Sequence, residues 1–514
     1  MNLNKVVRVK VLFFKLIGMI FAVSAGLPLG KEGPMIHCGA VIGAAVSQGK
    51  TFTFGFDTSW TKFQDLRNDR SKRDFVTFGA AAAVAAAFSA PIGGVLFTLE
   101  EGASFWSTTL TFRAFFSAMV TELTINLILT GFSFGNNLGR DDTRGSMFPF
   151  GYFSEQPYRP YELIFFILLG CAGGLLGALF NYLNMRVSLY RTKSVNKHLW
   201  KRILEIAVIT MVFATLCFVL PIMYNGCTLI PSEIADFDEK NAPLLDELVQ
   251  LQCPAGYYNQ LASLYLIDPN TAMQLLFHLP LGGFDTIPLF MFFIPYFLSA
   301  ACVSGSLIPA GLFVPTLLSG AAFGRMFGRG LNAMLPGYVS DSGVYALLGA
   351  SSLMGGMCRL TMAGTVIMLE ACGNNEYLLP LMLVFATARY TGNAINLPMY
   401  DIQIELKGLP FLDSHLNTMG MLNYHSISAV MAKPVHCLET ITKTSKVHWL
   451  LSNTKHNGFP VVDNLGRLKG FILRKTLCTM LKLKALSRPI FDENDLDQGI
   501  ETVQVPEGYV RDED

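Results

Sequence analysis

The stretch Gly30-Lys31-Glu32-Gly33-Pro34 sets a single carboxylate between glycines and puts a proline just inside an apolar run, residues 34–48. A helix that starts at Pro34 leaves its first N–H groups unpaired and turns the positive end of its dipole toward the preceding loop. Such a helix start attracts a chloride ion or a carboxylate, and Glu32 can be that carboxylate. If a mobile glutamate fills a site that an anion also occupies, the two compete, and protonating the glutamate vacates the site. Lys31 beside it raises the local anion concentration, or else snorkels its ammonium group to the membrane interface.

The rest of the chain puts a membrane around this motif. Its 514 residues are 51% hydrophobic and only 15% charged, with a mean hydropathy of +0.41, which places it among membrane proteins. Apolar stretches cover residues 10–28, 34–48, 75–99, 109–132, 161–185, 203–223, 286–325, 343–371 and 377–397. Several fall short of the ~20 residues that span the hydrocarbon core, or are broken by Gly and Pro. An all-α polytopic protein with broken helices is expected, because irregular backbone at membrane depth survives only where it lines a cavity and makes an ion site. The net charge of +1 points to no particular partner beyond membrane lipid, and no nucleic acid is expected.

Lys5, Arg8, Lys10 and Lys15 precede a run ending Ala22-Val23-Ser24-Ala25-Gly26 and imitate a cleaved signal peptide. Cleavage near Ala25 would strip the segment that leads into the Glu32 motif, so the run is read as part of the membrane domain. The stretch Lys62 to Arg73 holds five basic and two acidic residues, and Arg186 to Arg202 holds six basic and none acidic. Both are expected in the cytosol. The loop 224–262 carries six acidic residues and one basic and is expected to face the lumen or exterior. There Cys227 and Cys253 can pair as a disulfide, two free thiols being the alternative.

The chain also matches itself. Gly30, Pro34, Gly39, Ala40 and Gly43 match Gly311, Pro315, Gly320, Ala321 and Gly324 at an offset of 281, and Gly79, Ala80, Leu99 and Glu100 match Gly349, Ala350, Leu369 and Glu370 at an offset of 270. Two matches in one order and at nearly one offset indicate an internal duplication, whose relative orientation identity alone does not give. The first half is shorter at its front by on the order of 100 residues, judged against the second as a repeat of it. The repeat sorts the acids: Glu100 has a partner in Glu370 and is assigned to packing or hydrogen bonding. Glu101 aligns with Ala371, and Glu32 with Phe313; an acid present in one half only is the better functional candidate.

These residues resemble the CLC family of chloride channels and chloride/proton exchangers. The likeness rests on Gly30 to Pro34, Ala90-Pro91-Ile92-Gly93-Gly94 through Leu99-Glu100-Glu101, Gly311-Leu312-Phe313-Val314-Pro315, and Tyr400. The wording of Gly30 to Ala45 and of Lys72 through Trp106 is most similar to the lysosomal and late-endosomal exchanger branch, vertebrate members six and seven. The resemblance implies that Glu32 is the external gate, that Glu101 transfers protons on the inner side, and that Tyr400 donates its hydroxyl to a central chloride. Gly30, Lys31, Gly33, Leu312 and Phe313 complete that chloride-binding set, the last two through their backbone N–H groups. Neutral donors of this kind replace water around chloride without trapping it. The family's first anion-binding loop, expected ahead of the gating motif, is not found, and the chain looks shortened at both ends.

The chain from Asn423 onward reads as soluble. Residues 431–435, 456–463 and 470–473 are expected as strands around a helix from Thr444 to Ser452, which resembles a single CBS domain. Expected boundaries are 1–158 for an incomplete first membrane repeat, 159–408 for the second, 409–425 for a linker, 426–485 for the CBS-like domain and 486–514 for an acidic tail. CBS modules work in pairs, so one copy argues against adenine-nucleotide binding. Chloride and protons are the expected cargo, with no resident cofactor or metal and no enzymatic site; His37 and His278 stand alone in apolar context and are expected to be packed. The leading expectation is a chloride/proton antiporter of an intracellular, lysosomal or late-endosomal membrane, as a homodimer with a cytosolic tail and a single-span accessory subunit. A passive voltage-gated chloride channel and a shortened, non-conducting subunit that modulates full-length partners are the alternatives.

Overall fold

The computed structural model describes residues 6–49, 69–129, 158–224, 226–230, 244–409, 433–454 and 456–482, together with a few isolated positions and, as backbone only, the strands 52–53, 56–57 and 502–504. The chain divides into two units, Met1–Ser414 and His415–Asp514.

The first unit is helical. Its elements are α1 (Val9–Ser24), α2 (Glu32–Gln48), α3 (Asp69–Phe88), α4 (Pro91–Phe97), α5 (Thr108–Leu129), α6 (Glu162–Tyr190), α7 (Leu199–Met223), α8 (Ala262–Tyr265), α9 (Pro269–His278), α10 (Thr286–Val303), α11 (Phe313–Met334), α12 (Ser342–Cys358), α13 (Met362–Cys372), α14 (Leu378–Asn393) and α15 (Met399–Leu406). Among the described residues three helices are long and apolar enough to cross a membrane: Glu162–Val195, Leu199–Met223 and Thr286–Val303. The longest apolar runs of the sequence break in two. Ser89 (φ 53°) and Arg359 (φ 65°) end α3 and α12 in the left-handed region, which terminates a helix at a steric cost for any residue but glycine. These two positions are equivalent across the offset of 270, so both halves break their helices at the same place.

α2 starts at Glu32 rather than at Pro34, which lies within its first turn. The first N–H groups of a helix have no intrahelical acceptor, so a proline there forfeits nothing.

The two halves share their packing. A methyl group on Gly39 would lie 2.3 Å from Gly79 O, and one on Gly79 2.4 Å from Gly39 O; between α11 and α12 the matching distances for Gly320 and Gly349 are both 2.6 Å. In each half, then, two helices cross backbone against backbone at a glycine pair. Glu370 accepts from the N–H groups of Ile92 (3.2 Å) and Gly93 (2.9 Å) at the start of α4. Glu100 accepts from those of Thr361 (2.9 Å) and Ala363 (3.0 Å) at the start of α13. Each half therefore caps a helix of the other with its repeated glutamate.

The halves meet at Gly30 and Gly311, which form an antiparallel bridge with both hydrogen bonds exchanged. Equivalent residues paired antiparallel imply a local two-fold axis between the halves. α10 packs on α6, α7 and α11, whereas α1, its counterpart, packs chiefly on α2, leaving Phe13, Phe14, Ile20 and Phe21 exposed. Beyond α7, the strands Cys227–Leu229 and Tyr257–Asn259 pair antiparallel, and Cys227 and Cys253 are joined as a disulfide.

The second unit holds a three-stranded sheet in which Leu438–Glu439 runs parallel, and Leu468–Leu473 antiparallel, to the central Gly458–Val462. Helix Thr444–Asn453 connects the parallel strands, and helix Arg474–Lys482 follows the last. Leu438, Val447, Leu450, Phe459, Val461, Ile472 and Leu477 form its core. Residues 431 and 433–435 of the expected strand 431–435 are not in a strand, and the first strand among the described residues of this unit begins at Leu438, past Pro434, which has no N–H for a ladder. Strand Thr502–Gln504 pairs with Ile441–Lys443, so part of the expected tail belongs to this unit. The expected linker beyond Leu409 lies outside the described residues, except for a few isolated positions.

Candidate functional site

Glu32 opens α2 and is fully buried. Its carboxylate faces the backbone amides of Lys31 and Glu32 at the start of α2 and of Val314 at the start of α11, yet no described residue bonds to either oxygen. Two positive helix ends thus converge on one carboxylate. A methyl group on Gly30 would stand 2.0 Å from Glu32 Oε2, and one on Gly311 would stand 3.0 Å from it. Only bare backbone lets the carboxylate lie between the two loops. Gly33 packs in the same way, with a methyl there 3.3 Å from Gly311 Cα. Lys31 occupies the N-cap position of α2 and is partly buried.

Phe313 begins α11 and is buried, its ring packed 5.1 Å from that of Phe88 and 5.9 Å from that of Phe97. This ring holds the Leu312–Phe313 backbone against the first half. Tyr400 sits in the first turn of α15, and its hydroxyl oxygen lies 3.9 Å from the sulfur of Cys358, the last residue of α12. That hydroxyl is within electrostatic reach of both Glu32 and Glu101.

Glu100 and Glu101 share a π-helical turn, Thr98–Gly102, at the end of α4; such turns frequently mark functional sites. Glu100 is turned inward, bonded to the start of α13 and paired with Arg389 at 3.1 Å. Glu101 is exposed and makes no hydrogen bond or ion pair among the described residues, with Glu100, Asp401 and Arg389 as its charged neighbours. His278 bonds to Phe150 O at 2.6 Å and His37 to Lys15 at 2.5 Å, so both histidines are packed.

Three contributors escaped the sequence reading. Val314 follows Phe313 in the very motif singled out, and its amide was one position beyond the donors named. Arg389 reaches Glu100 across 289 residues of sequence, a pairing that no local pattern announces. Asn184 and its neighbours on α6 recur at helical spacing inside an apolar run, a signal visible in the sequence.

The profile of the voltage gated chloride channel family matches residues 1–393. The chain belongs to this family. It is 40% identical over 491 residues to the H(+)/Cl(-) exchange transporter 7 of Mus musculus, covering 93% of this chain and 59% of that protein. The Homo sapiens protein of the same name gives 40% identity, with 93% and 58% covered. Chloride channel protein C of Dictyostelium discoideum is 35% identical over 501 residues, 96% and 64% covered. The chain thus spans about 59% of the length of the first of these relatives. Among solved structures, a eukaryotic CLC transporter superposes with a TM-score of 0.63 at 22% identity, covering 94% of this chain and 72% of that one. A slow cyanobacterial Cl-/H+ antiporter superposes with 0.56 at 19% identity, 78% and 77% covered. The fold is therefore that of the CLC transporters, a membrane fold of paired helical repeats, and the family is one of channels and transporters.

Proposed function

We propose that the chain exchanges chloride for protons across an intracellular membrane. The observation that carries this reading is the buried carboxylate of Glu32, without a hydrogen-bond partner among the described residues and held where two helix N-termini and the bare backbones of Gly30 and Gly311 make a seat for an anion. A carboxylate in that seat competes with chloride, and protonation neutralises it and lets it leave. Glu32 is then the gate. Gly30, Lys31, Gly33, Leu312, Phe313 and Tyr400 bind chloride, the amides and hydroxyl as neutral donors and Lys31 as a local attractor.

Glu101, exposed and without a hydrogen bond or ion pair among the described residues, is the proton-transfer residue that loads Glu32. A passive channel has no use for this second acid, and the exchange transporters named above share 40% identity with the chain. We further propose a lysosomal or late-endosomal membrane, a lumenal disulfide-bearing loop 224–262, a homodimer with one pathway per subunit, and a single-span accessory partner. The 426–485 region is proposed as a cytosolic CBS domain that serves assembly.

Reconstitution into liposomes with a pH dye inside and a chloride gradient across the membrane tests the reading. Chloride-driven proton movement, lost in Glu32→Ala, is the expected result. Chloride flux without proton movement would turn the assignment to a channel, and no flux of either ion would turn it to a non-conducting subunit.

A further inference from the structure

The buried face of α6 carries Asn181, Asn184 and Ser188, and Arg191 continues it into the following turn. Arg191 Nε pairs with Glu205 of α7 at 2.6 Å and Asn181 Nδ2 also reaches Leu397 O at 3.3 Å; their other donors go to the ends of other helices. Asn181 Nδ2 donates to Met357 O at 3.0 Å, near the end of α12. Asn184 Nδ2 donates to Ala301 O at 3.0 Å and to Ser304 O at 3.1 Å, and Arg191 donates to Ser304 O at 2.5 Å and to Cys302 O. These carbonyls belong to the last turn and cap of α10, where no intrahelical donor remains. Gln403 of α15 closes the circuit, donating to Asn184 Oδ1 at 2.8 Å and to Ser188 Oγ at 3.4 Å.

Gly305, at φ 77°, is enclosed by this group. A methyl there would lie 3.3 Å from Ser188 Oγ and 3.6 Å from both Arg191 Nη1 and Gln403 Nε2. The same glycine begins the loop that ends in the amides of Leu312 and Phe313, while Gln403 stands one turn beyond Tyr400 on α15. Asn184 is thus bonded on one side to the origin of the amide donors and on the other to the helix that carries the hydroxyl donor. The corresponding turn after α1 has no such enclosure: Gly26, at φ 66°, has open space where its side chain would be.

We propose that Asn184 and Gln403 are positioning residues, whose amide–amide bond sets the spacing between the Tyr400 hydroxyl and the Leu312–Phe313 amides and so sets chloride affinity. The inference rests on the chloride-site reading above. Neither residue touches the anion; each holds one half of its donor shell.

Chloride titration of the purified chain by isothermal calorimetry tests it. Asn184→Leu and Gln403→Met preserve side-chain bulk and remove the amide; both break the Asn184–Gln403 bond, and Asn184→Leu also strips Ala301 O and Ser304 O of a donor, so Gln403→Met is expected to weaken chloride binding about tenfold and Asn184→Leu by more than that. The double variant Asn184→Gln/Gln403→Asn, which keeps the combined reach of the two amides, is expected to return affinity to within about threefold of the original. Glu162→Gln, at the opposite end of α6 and bonded to Ser340 and Tyr345, serves as the structural control: it should lower thermal stability and leave affinity unchanged. Unchanged affinity in both single variants, with binding intact in the unmodified chain, would overturn the inference alone. A failure of the double variant to recover would overturn the amide–amide bond as its basis. No chloride binding by the unmodified chain would overturn the site reading, and the inference with it.

Discussion

Gly30 and Gly311 exchange both backbone hydrogen bonds, 2.8 Å from Gly30 N to Gly311 O and 2.7 Å in return. Each is the other's repeat counterpart, so the axis that relates the halves passes between them, and Glu32 stands beside it. The two halves bring two helix N-termini to one carboxylate, which a single helix start cannot do.

Gly30→Ala should act as a gate variant. Its methyl group would lie 2.0 Å from Glu32 Oε2 and must drive the carboxylate out of its seat. Proton coupling in liposomes is expected to vanish while chloride flux continues, with a stability loss of about 1–3 kcal/mol from overpacking. Coupling that survives this substitution would remove Glu32 from the gating role.

Glu100 and Glu101 should part ways when each is replaced by alanine. Glu101→Ala is expected to abolish proton transport and to leave the melting temperature of the purified protein nearly unchanged, since the side chain is exposed and unbonded. Glu100→Ala removes the cap of α13 and the partner of Arg389, and should lower stability by about 2–3 kcal/mol. Glu370→Ala, which uncaps α4, should behave like Glu100→Ala; thermal melting in detergent distinguishes the two classes.

Cys227→Ser opens the disulfide to Cys253, which closes 26 residues of sequence. The loop should lose about 3 kcal/mol of constraint on its open forms and become cleavable by added protease at concentrations that spare the unmodified protein. Equal protease resistance in the two proteins would mean that the strand pair 227–229 and 257–259 holds the loop without it.

Arg474→Ala tests the second unit. The guanidinium donates to Thr454 O at 2.7 Å, to His456 O at 3.3 Å and to Leu451 O, carbonyls at and just beyond the end of helix Thr444–Asn453. Loss of this cap should cost about 2 kcal/mol locally, read as faster amide exchange in residues 444–453 of the whole chain with transport unaffected.

Much of this was readable in one dimension. The breaks in the apolar runs follow from Gly, Pro and short polar punctuation, and the duplication follows from glycines at a constant offset. The division of Glu100 from Glu101 followed from asking which acid both halves share; the shared one proved to be a cap. The sequence places the start of α2 two residues late, at Pro34 instead of Glu32, because proline suits any position in a helix's first turn. The apolar residues of 431–435 suggest a strand but straddle a proline, and strand 502–504 is concealed by the acidic run around it.

The sequence by itself determined the membrane character, the twofold repeat and the singleton acids Glu32 and Glu101, because composition, spacing and identity are properties of the chain as written. Only the tertiary structure decided that the halves are related by a local two-fold axis, that Gly30 meets Gly311, that Glu100 caps α13, and that Asn184 joins α10 to α15. The physical reason is direction. A residue's identity records what bond it needs, whereas the partner that supplies it arrives across 117 to 289 residues of chain, at an angle that only the packed helices define.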